Sequence, residues 1–335
     1  MTDVLSERAV LALDIGGTKL AAAVVGSDGV VRGHRVTPTR REEGPDAVIR
    51  RLFDLGRSAL DAEGVAVPLA VGISCGGPLD AAQGVLLSPL HLPGWTAVPM
   101  VDLAEREFGV PARLENDATL GALGEFRFGH GRAVPDGTLV YLTLSTGVGG
   151  GAVINGRLHE GAAGNGGEFG HVVVRYGGRS CPCGRAGCLE TYASGTNIAV
   201  RARERLAQAS DTVLAAYGEQ VRAEHVTAAA AAGDQVAREL WDETVDVLAD
   251  AVTDFVNVFE PDLVVLGGGV TTSEAPLLEP LRQAVSARAM RPAARKAQVH
   301  LSALGAQVCL AGAAAAAFDL VADGAREIVS AERVG

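Results

Sequence analysis

The feature that most constrains how this chain folds is a cluster of cysteines in a glycine-rich segment. The sequence from Cys181 to Cys188 reads Cys-Pro-Cys-Gly-Arg-Ala-Gly-Cys and holds three of the five cysteines in 335 residues, and His171 lies ten residues before it. Three thiolates and one imidazole complete a tetrahedral zinc site, and glycines allow the turns that direct the sulfurs to one point. We predict that His171, Cys181, Cys183 and Cys188 bind a structural Zn²⁺; the alternative is a group of reduced thiols without metal.

Length and charge limit the classes of protein to which the chain can belong. With 335 residues, of which 48% are hydrophobic, it is long enough for two compact domains. The formal net charge of −11 argues against a nucleic-acid surface. Uncharged apolar runs of about 18 residues, the length that spans a membrane, are absent from the sequence. Closely spaced thiols suit a reducing compartment, so we expect a cytoplasmic protein without nucleic-acid or membrane partners.

The same pattern of apolar run, glycine-rich turn and apolar run occurs twice, at residues 10–25 and at residues 139–154. This pattern is typical of two strands that meet at a tight turn. It predicts an α/β protein with two halves that each open with a strand–turn–strand unit. Apolar residues at helical spacing predict helices over Pro45–Ala62 and Gln235–Phe259, and Ala311–Leu320 reads as a small-residue helix that can pack closely on a neighbour.

Both turns are candidate phosphate-binding sites, because only glycine lets backbone N–H groups approach a polyphosphate without interference from Cβ. A carboxylate directly before the first turn is placed to hold Mg²⁺ through water. The predicted residues of the first turn are Asp14, Gly16, Gly17, Thr18 and Lys19, although Lys19 is equally compatible with a solvated strand end; those of the second turn are Thr146, Gly147 and Gly149.

The second turn also fits a dinucleotide-binding fingerprint, which would make the protein a nicotinamide enzyme. Gly147, Gly149 and Ala152 match its G-x-G-x-x-A form. However, the residues that follow read as a strand running into the Asn155-Gly156 turn, whereas a dinucleotide site requires a helix there. The sequence therefore argues against a dehydrogenase.

One carboxylate is a candidate general base. Asp117 lies at the start of a helical pattern and next to Asn116, so that the carboxylate and the amide can bond adjacent hydroxyl groups of a ligand. The same position suits a helix cap. From the residue alone, the two roles of Asp117 are equally supported.

Taken together, the motifs resemble those of the ROK family, which comprises repressors, uncharacterised reading frames and sugar kinases. They occur in order across most of the chain and are Asp14-Ile15-Gly16-Gly17-Thr18-Lys19, Glu115-Asn116-Asp117, Ser145-Thr146-Gly147-Val148-Gly149-Gly150-Gly151, Glu168-Phe169-Gly170-His171 and the cysteine cluster. The resemblance implies a two-domain, actin-like ATPase (ribonuclease H-like) fold of the α/β class, with the active site in the interdomain cleft. We expect a small domain over residues 1–116 plus about 305–335, and a large domain with the zinc loop over residues 117–304.

The resemblance also implies an ATP-dependent hexose kinase that uses Mg²⁺ with ATP, with glucose as the favoured substrate. It assigns the role of catalytic base to Asp117. Its sugar-binding residues fall on Gly77, Asn116, Asp117, Glu168, His171 and Glu190, and its adenosine-side turn on Gly267 and Gly268. An N-acylhexosamine kinase or a catalytically idle sugar sensor is the alternative, and polyphosphate stays open as a second donor. The family further suggests a homodimer or a homotetramer.

Two further comparisons with the family pattern bear on function. Where the family usually has Asn, this chain has His91, a bulkier side chain with one donor and one acceptor in its neutral form, and this departure leaves the identity of the hexose open. Repressor members carry a winged-helix segment before the first glycine motif. Here 13 residues precede Asp14, so we expect an enzyme rather than a repressor.

Overall fold

The computed structural model describes residues 9–208, 211–272 and 274–334. Residues 1–8, with which the predicted small domain begins, lie outside the described part. The strands are β1 Ala9–Ile15, β2 Lys19–Gly26, β3 Val31–Pro38, β4 Val71–Cys75, β5 Leu79–Asp80, β6 Val85–Leu86, β7 Ala112–Asn116, β8 Leu139–Leu144, β9 Val148–Ile154, β10 Arg157–Leu158, β11 Leu263–Gly267 and β12 Gln298–Leu301.

The described helices confirm the two long segments expected from apolar spacing. They are α1 Pro45–Glu63, α2 Met100–Phe108, α3 Asp117–Arg127, α4 Glu190–Ala193, α5 Gly195–Leu206, α6 Ala223–Ala231, α7 Gln235–Phe259, α8 Glu274–Arg288, α9 Arg291–Ala294 and α10 Val308–Val334. Short 3₁₀ helices cover Arg41–Glu43, His130–Ala133, Phe169–His171, Val213–Gln220, Gly269–Thr272 and Gly305–Gln307.

The ends of α1 and α7 follow from their sequences. Helix α1 has proline at its first position, where a missing N–H costs nothing, and it ends at Gly64, whose φ of 68° is left-handed. Helix α7 begins after Asp234, whose side chain accepts a hydrogen bond from the backbone N–H of Ala237. It ends at Glu260, directly before Pro261, which cannot continue a helix.

The chain divides into two compact units. The first comprises residues 1–132, 160–166 and 306–335, and the second comprises residues 133–159 and 167–305. The expected boundary at residue 116 therefore differs from the observed one, because α3 packs on α10 and stays with the first unit. The insertion at residues 160–166 also belongs there, and Glu160 forms an ion pair with Arg113.

The first unit is built on a sheet with the strand order β3-β2-β1-β4-β7. Strands β1, β2 and β3 are antiparallel neighbours, whereas β4 and β7 run parallel to β1. Helix α1 packs on β1, β2 and β3, and α10 packs on β1, β4 and β7. Strand β1 is almost wholly buried, which explains why its sequence, Ala-Val-Leu-Ala-Leu-Asp-Ile, is a continuous apolar run.

The sheet of the second unit repeats this design. Its order is β10-β9-β8-β11-β12, with β8, β9 and β10 antiparallel and β11 and β12 parallel to β8. Its core includes apolar residues of α7 such as Trp241, Leu248 and Phe255. The internal duplication expected from the two glycine turns is therefore confirmed. A strand, β9, begins directly after Gly147, which excludes the helix that a dinucleotide fingerprint requires.

Glycines bring α10 unusually close to its neighbours. A Cβ atom on Gly312 would lie 2.0 Å from the carbonyl oxygen of Leu120 in α3, and one on Gly72 of β4 would lie 1.8 Å from the carbonyl oxygen of Ala313. Contrary to the expectation from the sequence, the segment Gly305–Asp323 is long and apolar enough to cross a membrane by length and composition alone, and half of it is buried inside the structure. Its alanines supply core surface of the first unit, as the small-residue pattern predicts.

We predict that Gly312→Ala destabilises the protein. Because the new methyl group would overlap the backbone of α3, which cannot move without shifting the whole helix, the cost should be about 1–3 kcal/mol. A matched control is Gly269→Ala, whose Cβ would meet no atom within 4 Å. Thermal unfolding measures both. Equal melting temperatures for the two variants would contradict the close approach of α10 and α3.

Candidate functional site

The parallel strands of the first unit end at one edge of its sheet. Ile15 of β1 is in register with Cys75 of β4, and Cys75 is in register with Asn116 of β7. The carboxyl ends of parallel strands are where open α/β sheets bind ligands. This register brings Asp14, at the end of β1, and Asp117, directly after β7, to the same edge.

Burial of the two carboxylates raises their pKa values. Loss of water contact is the main cause of the rise in the pKa of Asp14 from 3.8 to about 6; the Ser74 hydroxyl opposes the rise, and the charge of Asp117 adds to it. The pKa of Asp117 is also raised, again mainly by burial, while the N–H of Ala118 and the nearby His91 lower it. Buried ionisable groups with raised pKa values are typical of catalytic sites.

The helix cap at this edge is supplied by Asn116, not by Asp117. The Asn116 Oδ1 atom accepts hydrogen bonds from the N–H groups of Ala118 at 2.9 Å and Thr119 at 3.3 Å. Asp117 is the first residue of α3, and its Oδ1 atom also accepts from the Ala118 N–H at 2.8 Å, whereas the Thr119 N–H is bonded by Asn116. A Cβ atom on Gly77 would lie 3.8 Å from Asn116 Nδ2, so the Gly76-Gly77-Pro78 loop lies beside the amide.

The first glycine turn is held by a buried threonine that no sequence motif indicated. The Thr39 hydroxyl donates to the carbonyl oxygen of Gly16 at 2.6 Å, and the Thr39 N–H donates to that of Thr18 at 3.0 Å. Arg51 in turn donates to the Thr39 carbonyl at 2.7 Å. Thr18 and Lys19 are exposed at the tip of this turn. The turn is thus held on its buried side by Thr39, while its tip is exposed to solvent.

His91 lies against this turn and against the second loop of the edge. Its Nε2 atom is 3.3 Å from the carbonyl oxygen of Ile15 and 3.9 Å from the sulfur of Cys75. A Cβ atom on Gly17 would lie 2.9 Å from His91 Cβ, and one on Gly76 would lie 2.7 Å from its Cε1. The imidazole therefore fills the space between the two glycine loops, and both loops need glycine to make room for it.

In the second unit, the structure brings the four predicted zinc ligands together. The ligand atoms of His171, Cys181, Cys183 and Cys188 lie within 4.8 Å of one another. The sulfurs of Cys183 and Cys188 are 3.7 Å apart, and Cys181 Sγ is 3.6 Å from His171 Nδ1. Zinc bonds of about 2.3 Å to sulfur and about 2.0 Å to nitrogen, at tetrahedral angles, place two sulfurs about 3.8 Å apart and sulfur and nitrogen about 3.5 Å apart. The residues fit a tetrahedral metal ion.

In the metal loop, residues 171–188, the backbone between Cys183 and Cys188 depends on its two glycines. Gly184 and Gly187 have φ values of 88° and 82°, which are left-handed and disfavour other residues. A Cβ atom on Gly187 would also lie 1.7 Å from the carbonyl oxygen of Arg175. The second nitrogen of the imidazole, His171 Nε2, is 3.9 Å from a carboxylate oxygen of Glu168, which is exposed. That nitrogen stays available for another partner when Nδ1 faces the thiols.

The second glycine turn, Ser145-Thr146-Gly147, is held on both sides. The Gly195 N–H donates to the Ser145 carbonyl at 2.7 Å, and Glu190 Oε2 accepts from the Val148 N–H at 2.9 Å. Gly149 does not lie in the turn, because it is paired with Thr143 in the ladder between β9 and β8. The sequence placed Glu190 beside the metal loop but gave no indication of its bond to this turn.

A cavity of about 920 Å³ opens beside the second turn. Its lining includes Ser145, Thr146, Gly195, Tyr217, His225 and Gly269. The rings of Tyr217 and His225 stack with centroids 3.7 Å apart. The volume and the mixed polar and aromatic wall are typical of a small-molecule site.

The third glycine run begins at the end of β11 and reaches the cavity with its last residue. A Cβ atom on Gly267 would lie 2.3 Å from the Tyr141 hydroxyl, and one on Gly268 would lie 2.3 Å from the carbonyl oxygen of Leu144. Neither position has room for a side chain, and neither glycine is among the residues that line the cavity, whereas the next residue, Gly269, lines it. The cavity is formed largely by α5, α6 and the segment between them. No sequence motif indicated that a cavity lies there.

Comparison with known proteins places these features in one family. The sequence matches the model of the ROK family over residues 10–319. It is 37% identical over 279 residues to a glucokinase of Thermotoga maritima, which covers 82% of this chain and 86% of the relative. It is 36% identical over 265 residues to an N-acetylmannosamine kinase of Escherichia coli O1:K1, which covers 79% of this chain and 84% of the relative.

A solved structure agrees with the sequence relatives. The fold superposes on a ROK family glucokinase from Streptomyces griseus in complex with glucose and AMPPNP with a TM-score of 0.78 and 31% sequence identity. The superposition covers 93% of this chain and 99% of the other. The actin-like ATPase fold expected from the motifs is thereby confirmed.

We predict that Asp14→Asn stabilises the ligand-free protein at neutral pH. Because the folded-state pKa is raised to about 6, the contribution of this carboxyl to stability is fully present below 3.8 and is lost as the pH rises through about 6. The loss corresponds to at most about 3 kcal/mol at pH 7. With a chelator present and no nucleotide, the variant should have a higher melting temperature than the parent at pH 7.5. The difference between the two melting temperatures should disappear near pH 4. An exposed control is Asp102→Asn. A lower melting temperature for Asp14→Asn at pH 7.5 would contradict the burial of this charge.

Proposed function

Because the chain belongs to the ROK family, we propose that it is an ATP-dependent sugar kinase that transfers the γ-phosphoryl group of ATP to a hexose hydroxyl. Glucose is the favoured acceptor, with glucose 6-phosphate as the product, since glucokinases are among the similar proteins. The observation that carries the proposal is the edge of the first sheet. Two carboxylates with raised pKa values meet there, and Asn116 rather than Asp117 is the N-cap residue of α3.

The chemistry requires a base, in-line positioning and compensation of phosphate charge. Asp117 accepts the proton of the sugar hydroxyl while the oxygen of that hydroxyl attacks the γ-phosphorus. The bond between the γ-phosphorus and the oxygen of ADP breaks. Its raised pKa makes Asp117 a stronger base than an ordinary carboxylate. Asp14 is placed to hold, through water, the Mg²⁺ that accompanies ATP and offsets the negative charge of its phosphates.

Backbone and polar groups of each unit bind the substrates. In the first unit, the N–H groups of Gly16, Gly17 and Thr18 bind phosphate oxygens, and Gly77 and Asn116 bind the sugar. In the second unit, Thr146 and Gly147 bind phosphate, and the cavity beside them holds the adenosine, with Gly269 in its wall.

The metal loop contributes the remaining sugar-binding groups. Glu168 and Glu190 flank the loop, and His171 Nε2 points away from the thiols. Zn²⁺, when bound by the three thiolates and His171 Nδ1, supplies structural order and no open coordination position. The order of this loop then fixes the polar groups that contact the sugar hydroxyls.

A second acceptor class has support of its own. The chain is as similar to an N-acetylmannosamine kinase as to several glucokinases, and His91 replaces the usual Asn beside the glycine loops. ADP release with ATP and Mg²⁺ should therefore be measured with glucose, fructose, mannose, N-acetylglucosamine and N-acetylmannosamine. Release with glucose supports the proposal, preference for an N-acyl sugar supports the alternative, and no release with any sugar indicates a sugar sensor. The homodimer or homotetramer and the cytoplasmic location stay predictions.

We predict that Asp117→Asn lowers turnover at least about 10²-fold and leaves sugar affinity within a fewfold of the parent. The amide keeps the shape and hydrogen bonds of the carboxylate but cannot accept the proton. Steady-state ADP release gives turnover, and equilibrium titration gives sugar affinity. The matched control, Asp46→Asn, makes the same change in the first turn of α1 and should keep parental turnover. Near-parental turnover of Asp117→Asn would require another base.

A further inference from the structure

The side chain of Glu190 lies directly against the second glycine turn. Its Oε2 atom accepts a hydrogen bond from the Val148 N–H at 2.9 Å. A Cβ atom on Gly147 would lie 2.7 Å from the same oxygen. The carboxylate therefore sets the position of the backbone between Gly147 and Val148, in the turn that is proposed to bind phosphate.

The position of Glu190 is itself tied to the metal loop. One residue, Leu189, separates it from Cys188, one of the predicted metal ligands. Leu189 is fully buried, and its N–H donates to the Val172 carbonyl at 2.9 Å. Cys188 also forms a β-bridge with Val173, which lies two residues after the ligand His171 in the chain. The start of α4 is thus fixed to both ends of the loop that the metal closes.

The segment that follows Glu190 is hydrogen-bonded to the other side of the turn. The Gly195 N–H donates to the Ser145 carbonyl at 2.7 Å. Asn197 connects the residues that make these two contacts, because its Nδ2 atom donates to the Glu190 carbonyl at 3.1 Å and to the Ser194 hydroxyl, next to Gly195, at 2.8 Å. Helices α4 and α5 therefore contact the turn on both sides. Glu190 makes the contact that is nearer to the metal loop.

We propose that Glu190 is a positioning residue that transmits the order of the metal loop to the phosphate-binding turn, so that zinc governs nucleotide affinity as well as sugar binding. The proposal rests on the proposed function, which makes this turn a phosphate site. It extends that function, in which Glu190 and the metal serve the sugar alone. Without the metal, the start of α4 loses its anchor, and the Val148 N–H loses an acceptor held at a fixed place.

Substitutions at Glu190 separate position from charge. Glutamine keeps the length and an acceptor oxygen for the Val148 N–H but removes the negative charge, whereas alanine removes the acceptor. We expect Glu190→Ala to weaken binding of Mg²⁺ and the ATP analogue AMPPNP at least about fivefold in the absence of sugar, and Glu190→Gln to restore most of the loss. The matched control is Glu204→Gln, because the Glu204 carboxylate also bonds the metal loop, through Arg179, and does not belong to the proposed site.

The decisive measurement is a cycle of four AMPPNP titrations by calorimetry, on the parent and on Glu190→Ala, each with zinc bound and after removal of zinc with 1,10-phenanthroline. We expect zinc removal to weaken AMPPNP binding in the parent and to have little further effect in Glu190→Ala. Equal weakening by zinc removal in both proteins, or parental affinity in Glu190→Ala, would overturn the proposal.

Hydrogen exchange provides a test that needs no variant. In the parent, zinc removal should speed exchange in peptides that span residues 145–149, while peptides from β11 keep their protection. Unchanged exchange at the turn would also overturn the proposal. A different result, in which the zinc-bound parent neither binds AMPPNP nor releases ADP with any sugar, would instead reject the proposed function.

Discussion

The cluster of three thiols and one imidazole is the constraint on which the functional surface of the second unit depends. The loop between His171 and Cys188 buries few apolar side chains, and its backbone is paired through isolated bridges rather than a sheet. Packing alone gives such a loop little stability, whereas a tetrahedral ion contributes folding free energy directly. Because Glu168 and Glu190 lie at the two ends of the loop, its order determines where both carboxylates are held.

The first unit meets a different constraint, the cost of burying negative charge. Asp14 and Asp117 each raise the free energy of the ligand-free protein at neutral pH, and the charges of both add to the raised pKa values of the thiols of Cys75 and Cys309. A structure retains such groups when they serve a ligand or a proton transfer. Under the proposed function, Mg²⁺ and a sugar hydroxyl would be the partners of these carboxylates, and ligand binding and stability would then be linked at the same two groups.

Sequence patterns predicted the parts of this protein that depend on local chemistry. The spacing of the cysteines, the glycine turns and the repeated strand–turn–strand units are all visible within short segments. The close approach of α10 to α3, the support of the first turn by Thr39 and the bond from Glu190 to the Val148 N–H join residues far apart in the chain. Such contacts depend on register and side-chain direction, which composition and periodicity do not specify. The same limit explains why Asn116 rather than Asp117 emerged as the cap, and why α3 belongs to the first unit.

The central claim is that a zinc-ordered loop completes the site of a sugar kinase, and metal analysis of the protein as purified tests it most directly. Mass spectrometry of the metal content, run on the same sample as sugar-dependent ADP release, should find about one zinc per chain in active protein, with activity falling in proportion as zinc is removed. Active protein that contains no zinc would contradict the account.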